Sequence, residues 1–464
     1  MIARRSLMAI SLAALMLGAC SMQPTYVRTE LPVPGNWPVG DAYLRSSEAA
    51  LPSYNWHGVF ADPRLQALIT QALANNQDVK RAAANIEAAR AQYQIQRSEL
   101  LPQLDISSTY RRSDSSGPAQ DSFAAQGSIS GYELDLFGRL RSLSGAAQDK
   151  YFASEAASRA TRLTLVSDAV TAWLKYAADS TLLTIASNTA ADARESLRLT
   201  KLRLDGGIAP RSDMRQAEIV LRTAEADIAA QTTAVAQDAN ALRLLVGSDI
   251  APENLSNTIG DAAGKLREVP AGLDSTILLR RPDVLEAEWQ LRAANAQIGA
   301  ARAALFPKIS LTGLLGFAST SLGGLFNSGN FAWSAGGTAS YPIFNGGGSK
   351  AGVALSEAQR DAALASYRKA IQSAFADVGN ALARRGTIEA QVEAVSQGRD
   401  AAADNLHLAD LRYKGGRDSY LQELTARQAL YSAERSLVAT QLLRATNLVS
   451  LYRSLGGDAS LGDQ

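Results

Sequence analysis

Two kinds of periodicity divide this chain into long helices and short strands. Residues 146–205 and 211–246 contain neither glycine nor proline, and their apolar residues recur at alternating spacings of three and four, as in helices that pack side by side. The pattern predicts one helix of 66 residues from Arg139 to Leu204. At about 1.5 Å per residue, even a run of about 60 residues reaches roughly 90 Å. Such a rod does not fit inside a compact globule.

Shorter helices are predicted to lie along this rod. The segments Arg64–Leu100 and Arg211–Val246 together have nearly its length, so we expect them to stack end to end, antiparallel to the long helix. In the second half of the chain, residues 353–378 and 417–455 are also free of glycine and proline and are predicted to be helical. Two pairs of adjacent glycines are expected to form turns at one tip of the rod: Gly206-Gly207 and Gly415-Gly416.

After Pro102, and again after Pro307, the period changes from helical to two. Apolar residues then alternate with small polar ones, which predicts a hairpin at about 103–136 and another at about 308–343. Strands of roughly ten residues have the length that a tilted membrane-spanning strand requires. The alternative is that two amphipathic hairpins cap a soluble core.

The second half of the chain is a repeat of the first half. Residues 78–106 align with 283–311 without a gap, with ten identities in 29 positions, and a second match at an offset of 209 residues pairs the two glycine turns. This period is too long for a solenoid, so we predict a tandem duplication with two-fold pseudosymmetry. The predicted boundaries are 63–247 and 276–457 for the repeats, 248–275 for the linker between them and 458–464 for a C-terminal tail. Each repeat is predicted to contain a helix, a hairpin, a long helix and a further helix, in that order.

The N-terminus is typical of a bacterial lipoprotein. Arg4-Arg5 precede an apolar run that is too short to span a bilayer and fits a signal peptide. The run ends in Leu17-Gly18-Ala19-Cys20, which resembles a lipobox, and Cys20 is the only cysteine in 464 residues. We predict a signal peptide at 1–19, covalent lipid on Cys20 and a lipidated linker at 20–62. The alternative is an ordinary signal peptide with a chance cysteine.

Composition argues against several kinds of function. The net charge changes from +1 to −1 when Arg4 and Arg5 leave with the signal peptide, so there is no electrostatic case for binding nucleic acid. The sequence holds only two histidines, His57 and His407. It shows no ordered set of nucleophile and base, no phosphate loop and no metal-ligand cluster. We therefore expect a passive function, with no catalytic residue, no metal and no cofactor beyond the lipid.

The number of strands predicts how many copies assemble. Four strands per chain cannot close a barrel, and open strand edges are not tolerated in lipid. Two copies would give eight strands with an interior filled by side chains, whereas three copies give twelve strands and leave a lumen. A homotrimer is thus the smallest assembly that we expect to conduct.

Several sequence blocks carry a family resemblance over nearly the whole mature chain. They include Trp56 with Phe60-Ala61-Asp62-Pro63, then Tyr132-Glu133-Leu134-Asp135-Leu136-Phe137-Gly138-Arg139, and Leu279-Arg280-Arg281-Pro282-Asp283-Val284. On these blocks the chain resembles the lipoprotein branch of the TolC-like outer-membrane efflux factors. The resemblance implies a mostly α fold with a β-barrel portion, in which tandem-duplicated protomers form a trimeric twelve-stranded outer-membrane β-barrel and a long periplasmic α-helical barrel.

The resemblance also implies a function and a set of partners. It indicates an exit duct that conducts small, largely hydrophobic compounds across the bacterial outer membrane. The implied partners are a periplasmic adaptor protein and an inner-membrane resistance–nodulation–division transporter. Two alternatives stay open: a duct for type I protein secretion, and a non-conducting coiled-coil lipoprotein of the envelope.

A gate is implied at the periplasmic helix tips, beside the second glycine turn. The matching candidates are Arg412, Tyr413, Asp418, Leu421, Gln422 and Glu423, with Asp205, Arg211 and Asp213 as secondary candidates in the first repeat. Relatives often carry an acid where Thr425 stands here. We expect Glu423 to supply the charge instead, although it lies two residues away and thus on a different helix face. The alternative is that all these side chains are ordinary solvated charges.

Overall fold

The computed structural model describes residues 21–43, 55–114, 119–268 and 275–457. The predicted signal peptide, Cys20 and the predicted C-terminal tail lie outside the described residues. The first half contains helices α1 (Trp56–Val59), α2 (Pro63–Asn75) and α3 (Gln77–Ser98), strands β1 (Asp105–Ser113) and β2 (Gln120–Glu133), and helices α4 (Arg139–Asp205) and α5 (Arg211–Val246).

The second half repeats this order from α3 onward, with a 3-10 helix, Ser275–Arg280, in the place of α2. It contains α6 (Ile259–Gly264) in the linker, then α7 (Pro282–Ala303), strands β3 (Lys308–Ser319) and β4 (Phe331–Ser340), and helices α8 (Gly348–Lys414) and α9 (Tyr420–Ser454). The predicted fold class, a mostly α chain with a small β portion and a tandem duplication, is therefore confirmed for the protomer.

The two long helices, α4 and α8, each contain 67 residues and at about 1.5 Å per residue are roughly 100 Å long. The predicted end of α4, Leu204, is one residue short of the observed end. No helix among the described residues combines the length and the apolar character needed to cross a membrane.

The second long helix extends far beyond the stretch 353–378 that is free of glycine and proline. It begins at Gly348 and continues through Gly379, Gly386 and Gly398. A glycine inside a helix costs only about 1 kcal/mol relative to alanine, and packing along a long helix offsets that cost. Gly386 has a further reason to lack a side chain, because a Cβ there would collide with the backbone carbonyl of Ala42.

The predicted helix Arg64–Leu100 is wrong, because two helices meet in this segment at Asn76. The backbone of Asn76 is non-helical, with φ −59° and ψ 135°. Its side-chain oxygen accepts hydrogen bonds from the amides of Asp78 and Val79, at 2.8 and 3.2 Å, and so caps α3. Its side-chain amide donates to the carbonyl of Leu245 at 2.9 Å. The break is stabilised by a tertiary contact with the end of α5.

The second repeat builds the same joint with a different side chain. Arg281 occupies the position equivalent to Asn76 and donates to the carbonyl of Ser454 at 2.8 Å, and Ser454 is equivalent to Leu245. The Arg281 guanidinium also forms hydrogen bonds with both oxygens of Asp283, at 3.0 and 2.8 Å. The duplicated joint therefore depends on a neutral amide in the first repeat and on a buried, paired charge in the second.

The four strands form one antiparallel sheet in the order β1-β2-β3-β4. Large apolar side chains lie on one face of the sheet, because the register places Tyr110 opposite Phe123 and Leu315 opposite Trp333. Except at Leu314, small and polar residues fill the alternate positions, as the period of two predicts. Strands β1 and β4 are the edges of the sheet.

The junction between β2 and α4 explains the specific sequence block at residues 132–139. Glu133 pairs with Arg139, both oxygens lying 2.7 Å from the guanidinium, and with Lys308 at 3.0 Å. The Asp135 carboxylate accepts hydrogen bonds from the first amides of α4, where the helix dipole favours a negative charge. Gly138 has a φ of +75°, which its lack of a side chain permits.

The chain divides into two compact units that do not coincide with the repeats. One contains Ala84–Ala156 and Leu285–Lys369 with the N-terminal segment to Glu30, and the other contains the remainder. In the first unit, Arg28 pairs with the buried Glu288 at 2.6 Å and fixes the N-terminal segment. In the second unit, Trp37 stacks on Phe375 with ring centroids 4.9 Å apart.

We expect Asn76→Ala to lower the free energy of unfolding by about 2 kcal/mol, because it removes a helix cap and leaves the Leu245 carbonyl without its hydrogen bond. The change is measured by urea unfolding followed by circular dichroism. Gln77→Ala, at the exposed neighbouring position, is the matched control and should change stability little. Equal stability of the two variants would show that the joint does not depend on this side chain.

Candidate functional site

Both tip turns end their long helices in the same way. In the first turn, the amide of Gly207 donates to Leu204 O and the amide of Ile208 to Arg203 O, at 2.9 Å each. Gly416 and Arg417 repeat these bonds in the second turn, at 3.0 and 2.9 Å. This is the Schellman arrangement, which requires a left-handed residue. The second glycine of each pair supplies it, with φ of +75° and +71°.

Arg412 and Asp418 come together across the second tip turn. The Arg412 guanidinium donates two hydrogen bonds to the Asp418 carboxylate, at 2.7 and 3.0 Å. The Asp418 side chain is 22% exposed and that of Arg412 62% exposed. The pair joins the end of α8 to the segment that leads into α9, and its two-pronged geometry fixes the direction of the turn.

Aromatic rings attach this turn to the first repeat. The Arg203 guanidinium lies 4.4 Å from the centre of the Tyr413 ring, a cation–π contact. Tyr413 in turn contacts Tyr420, with ring centroids 5.5 Å apart. Tyr420 is buried against Ala217, and its hydroxyl lies 3.2 Å from the Ser196 hydroxyl. The start of α9 is therefore held against both α4 and α5.

Glu423 lies in a different environment from Leu421 and Gln422, the two residues before it on α9. It is buried, and its carboxylate accepts a hydrogen bond from Arg427 at 2.6 Å. Arg427 also lies 3.6 Å from Asp192 on α4. Leu421 and Gln422 are exposed. Within the chain, the Glu423 charge is already neutralised, as a buried charge must be, while Thr425 is exposed.

The secondary candidates lie around the first tip turn without joining this network. Asp205 and Arg211 are exposed, and Asp213 is half-buried beside the hydroxyl of Ser212 at 3.4 Å. Their positions match those of Lys414, Tyr420 and Gln422 in the second repeat. None of the three residue types is the same in the two repeats. The two tip turns therefore have the same backbone hydrogen bonds but different side chains.

A link that the sequence did not reveal lies further along the helices. The Tyr431 hydroxyl on α9 donates to the Asp227 carboxylate on α5 at 2.6 Å, and Arg435 lies 3.7 Å from the same carboxylate. Burial, together with the hydrogen bond to Asp227, raises the pKa of Tyr431 to about 12. Neither Tyr431 nor Asp227 has a counterpart of the same type in the other repeat. The duplication in the sequence therefore could not indicate this link.

A cavity of about 790 Å³ lies beside the tip turns. Its lining mixes apolar side chains from α4 and the first turn with charged side chains from α4, α8 and α9, among them Leu199, Leu202, Ile208, Asp192, Asp410 and Lys414. Within the described part of the chain, no group of three or more histidine, cysteine, aspartate or glutamate side chains is arranged to hold a metal ion.

Alkaline pH should loosen the link between α5 and α9. Because the pKa of Tyr431 is raised from 10.0 to about 12 in the folded chain, its contribution to stability is fully present below pH 10 and is lost as the pH rises to about 12. We therefore expect the melting temperature of Tyr431→Phe to fall less than that of the wild type between pH 10 and a pH of about 12. Tyr93→Phe is the control. An identical pH dependence in wild type and Tyr431→Phe would contradict the assignment.

Comparison with known proteins gives concordant matches along the chain. The sequence profile described as outer membrane efflux protein matches residues 68–248 and again 273–457. The chain is 42% identical to the solvent efflux pump outer membrane protein SrpC of Pseudomonas putida, with 97% of each chain covered. It is 37% identical to outer membrane protein OprJ of Pseudomonas aeruginosa, covering 96% of this chain and 94% of that one.

Solved structures agree with the sequence matches. The open state of the Neisseria gonorrhoeae MtrE outer membrane channel superposes with a TM-score of 0.86 at 37% identity, covering 94% of this chain and 98% of that chain. The Campylobacter jejuni CmeC outer membrane channel also superposes with a TM-score of 0.86, at 27% identity, covering 94% and 95%. Two family matches in tandem, with the same fold along nearly the whole length, confirm the predicted resemblance. The chain belongs to the outer membrane efflux protein family.

Proposed function

We propose that this chain is the outer-membrane exit duct of a tripartite efflux pump and that it works as a homotrimer. One observation carries the proposal: a four-stranded sheet with an apolar face and two open edges, built by a chain whose long helices have 67 residues each. Three copies give twelve strands, which enclose a lumen, and their helices continue that lumen as a tube. The duct spans the outer membrane and extends into the periplasm.

The cargo and the partners follow from the family. SrpC is named for a solvent efflux pump and another relative, ArpC of Pseudomonas putida, for an antibiotic efflux pump. We infer that small, largely hydrophobic compounds pass through this duct as well. A periplasmic adaptor and an inner-membrane resistance–nodulation–division transporter deliver them, and substrate choice resides mainly in that transporter, because a wide passive pore discriminates little.

The duct performs no chemistry on its cargo in this proposal. It holds no metal and no cofactor, and the covalent lipid on Cys20 anchors it to the outer membrane after the signal peptide 1–19 has been removed. Several acyl chains bind a bilayer far more strongly than a single chain does. The lipidated segment 20–62, the repeats 63–247 and 276–457, and the linker 248–275 are the functional divisions of the chain.

The gate is proposed at the second tip turn. The Arg412–Asp418 pair closes this turn, and the Tyr413 contact with Arg203 holds it against the first repeat. Leu421 and Gln422, exposed on the next turn of helix, line the constriction, and Asp205, Arg211 and Asp213 contribute from the first repeat. Glu423 keeps α9 in place through Arg427. In a trimer, three-fold symmetry places three copies of each contact around the axis. The three Arg412–Asp418 pairs then form a ring that holds the tip closed.

Single-channel recording in planar bilayers tests the proposal with a charge swap. Wild-type protein should give small, mostly closed currents, whereas Arg412→Asp and Asp418→Arg should each raise the open probability several-fold because they place like charges across the turn. Combining the two substitutions restores an opposite-charge pair and should restore closure. Asp400→Arg, next to Arg399 on the exposed face of α8, is the matched control.

Two results would contradict different parts of this proposal. Unchanged currents in both single variants would place the gate elsewhere and leave the duct intact. An absence of current from every variant, in trimers of normal stability, would rule out a conducting duct and favour a structural lipoprotein.

A further inference from the structure

The charged residues of the sheet are distributed unevenly between its two faces. The register places Tyr110, Phe123 and Trp333 on one face, which is the lipid side because membrane barrels are apolar outside and polar inside. In the proposed trimer the opposite, polar face lines the lumen. The charged residues of β1–β4 that lie on this polar face are Asp105, Arg111, Glu133 and Lys308.

The charges at the end of the sheet next to the helices largely neutralise each other. Glu133 lies 3.0 Å from Lys308 and 2.7 Å from Arg139. Asp105, the first residue of β1, lies at the same end and is exposed. Between this end and Arg111, the residues of β1–β4 on the polar face are uncharged. Arg111 therefore stands apart from the other charges of this face.

Arg111 is exposed and lies opposite Ser122. Among the described residues, no ion pair and no side-chain hydrogen bond joins Arg111 to another residue. Residues 115–118, between β1 and β2, contain no charged side chain. The next acid along the chain, Asp114, lies just beyond the last paired residue of β1. The guanidinium charge of Arg111 is thus left for the solvent of the lumen.

Arg112, the next residue along β1, lies on the apolar face and has a partner there. Its guanidinium is 3.8 Å from the carboxylate of Asp121, and the Tyr110 hydroxyl donates to the same carboxylate at 3.0 Å. Two neighbouring arginines therefore lie at the same height in the sheet but on opposite faces, one paired and one free of a charged partner among the described residues. This difference makes Arg112 a matched control for Arg111.

Arg111 lies near the end of the sheet farthest from the helices. Because the helices extend into the periplasm, this end is the outer mouth of the duct. Twelve strands spaced about 4.8 Å apart and tilted by about 40° close into a barrel with a backbone radius of about 12 Å. The Debye length at physiological salt is about 8 Å. Charges on the lumen wall therefore act across most of the space that the side chains leave open.

We propose that Arg111 sets the charge selectivity of the outer mouth, where three copies form a positive ring. Rings of arginine or lysine favour anions in pores, so cationic compounds meet a barrier here that neutral hydrophobic compounds do not. Asp105 lies about 20 Å from Arg111 along β1, at about 3.3 Å per residue, and forms a negative ring at the inner end. This proposal rests on the trimeric duct of the proposed function and adds the charge of the cargo that its mouth disfavours.

An introduced cysteine measures the potential beside the ring. Ser122→Cys lies opposite Arg111 on the polar face, and Cys20 is blocked by lipid in the proposed function. Two methanethiosulfonate reagents, one anionic and one cationic, are applied from outside to cells that carry the full-length protein. The ratio of the anionic to the cationic rate, each normalised to a free thiol, should fall several-fold when Arg111→Gln is added. The ratio should also approach one at about 1 M salt, where the Debye length is about 3 Å.

The control and a pore measurement complete the test. Adding Arg112→Gln removes the same charge from the opposite face and should leave the ratio of rates unchanged. In planar bilayers under a potassium chloride gradient, Arg111→Gln should move the reversal potential of open channels towards that of potassium. Asp105→Asn should move it in the opposite direction.

Three results would overturn the proposal in different ways. An unchanged ratio in Arg111→Gln, or an equal fall in Arg112→Gln, would rule out the ring while leaving a conducting trimer intact. Slow reaction of Ser122→Cys with both reagents would show that the polar face does not line the lumen. Particles of a single chain that carry no current would contradict the proposed function itself.

Discussion

The unpaired backbone along the two edge strands is the constraint on which the rest of this structure depends. Each amide and carbonyl that faces lipid without a partner costs several kcal/mol, and one chain leaves one side of β1 and one side of β4 open. The missing second neighbour of β1 and of β4 does not come from the described part of the chain, because its four strands already form this sheet and four strands are too few to close a barrel. Assembly is therefore part of folding for this family member.

The two repeats build the same joint and the same tip turn with different side chains. The joint rests on the neutral Asn76 between α2 and α3 in the first repeat, and on the charged Arg281 between a 3-10 helix and α7 in the second. The tip turns share their backbone bonds, but only the second carries the Arg412–Asp418 pair. Duplication therefore allows the same backbone turn or joint to carry different side chains in the two repeats.

Much of the fold could be predicted because its signals are local. The ends of α4 and α5 follow from the first glycine turn and from Gly247, and the strands follow from the period of two. The break at Asn76 could not be predicted, since no glycine or proline marks it and its partner, Leu245, lies 169 residues away. The long helix of the second repeat could be predicted from the duplication, but its extent could not be read from the glycine-free stretch 353–378, because a long helix continues through glycines that usually end shorter ones.

The site was predicted less completely than the fold. The turn residues Arg412 and Asp418 stand out by their place beside the glycine pair, and the structure brings them together. The direction of Glu423 depends on which face of α9 packs on α4, and the link from Tyr431 to Asp227 depends on the tertiary arrangement of α5 and α9. Contacts between distant helices leave no mark in a single sequence.

Native mass spectrometry of the purified protein in detergent is the decisive measurement, because it counts the chains in one closed particle. A closed twelve-stranded barrel requires one dominant species of three chains, with no larger series. A stable single chain, a particle of two chains, or an open-ended series of masses would contradict it, since none of these leaves a lumen behind fully paired strand edges.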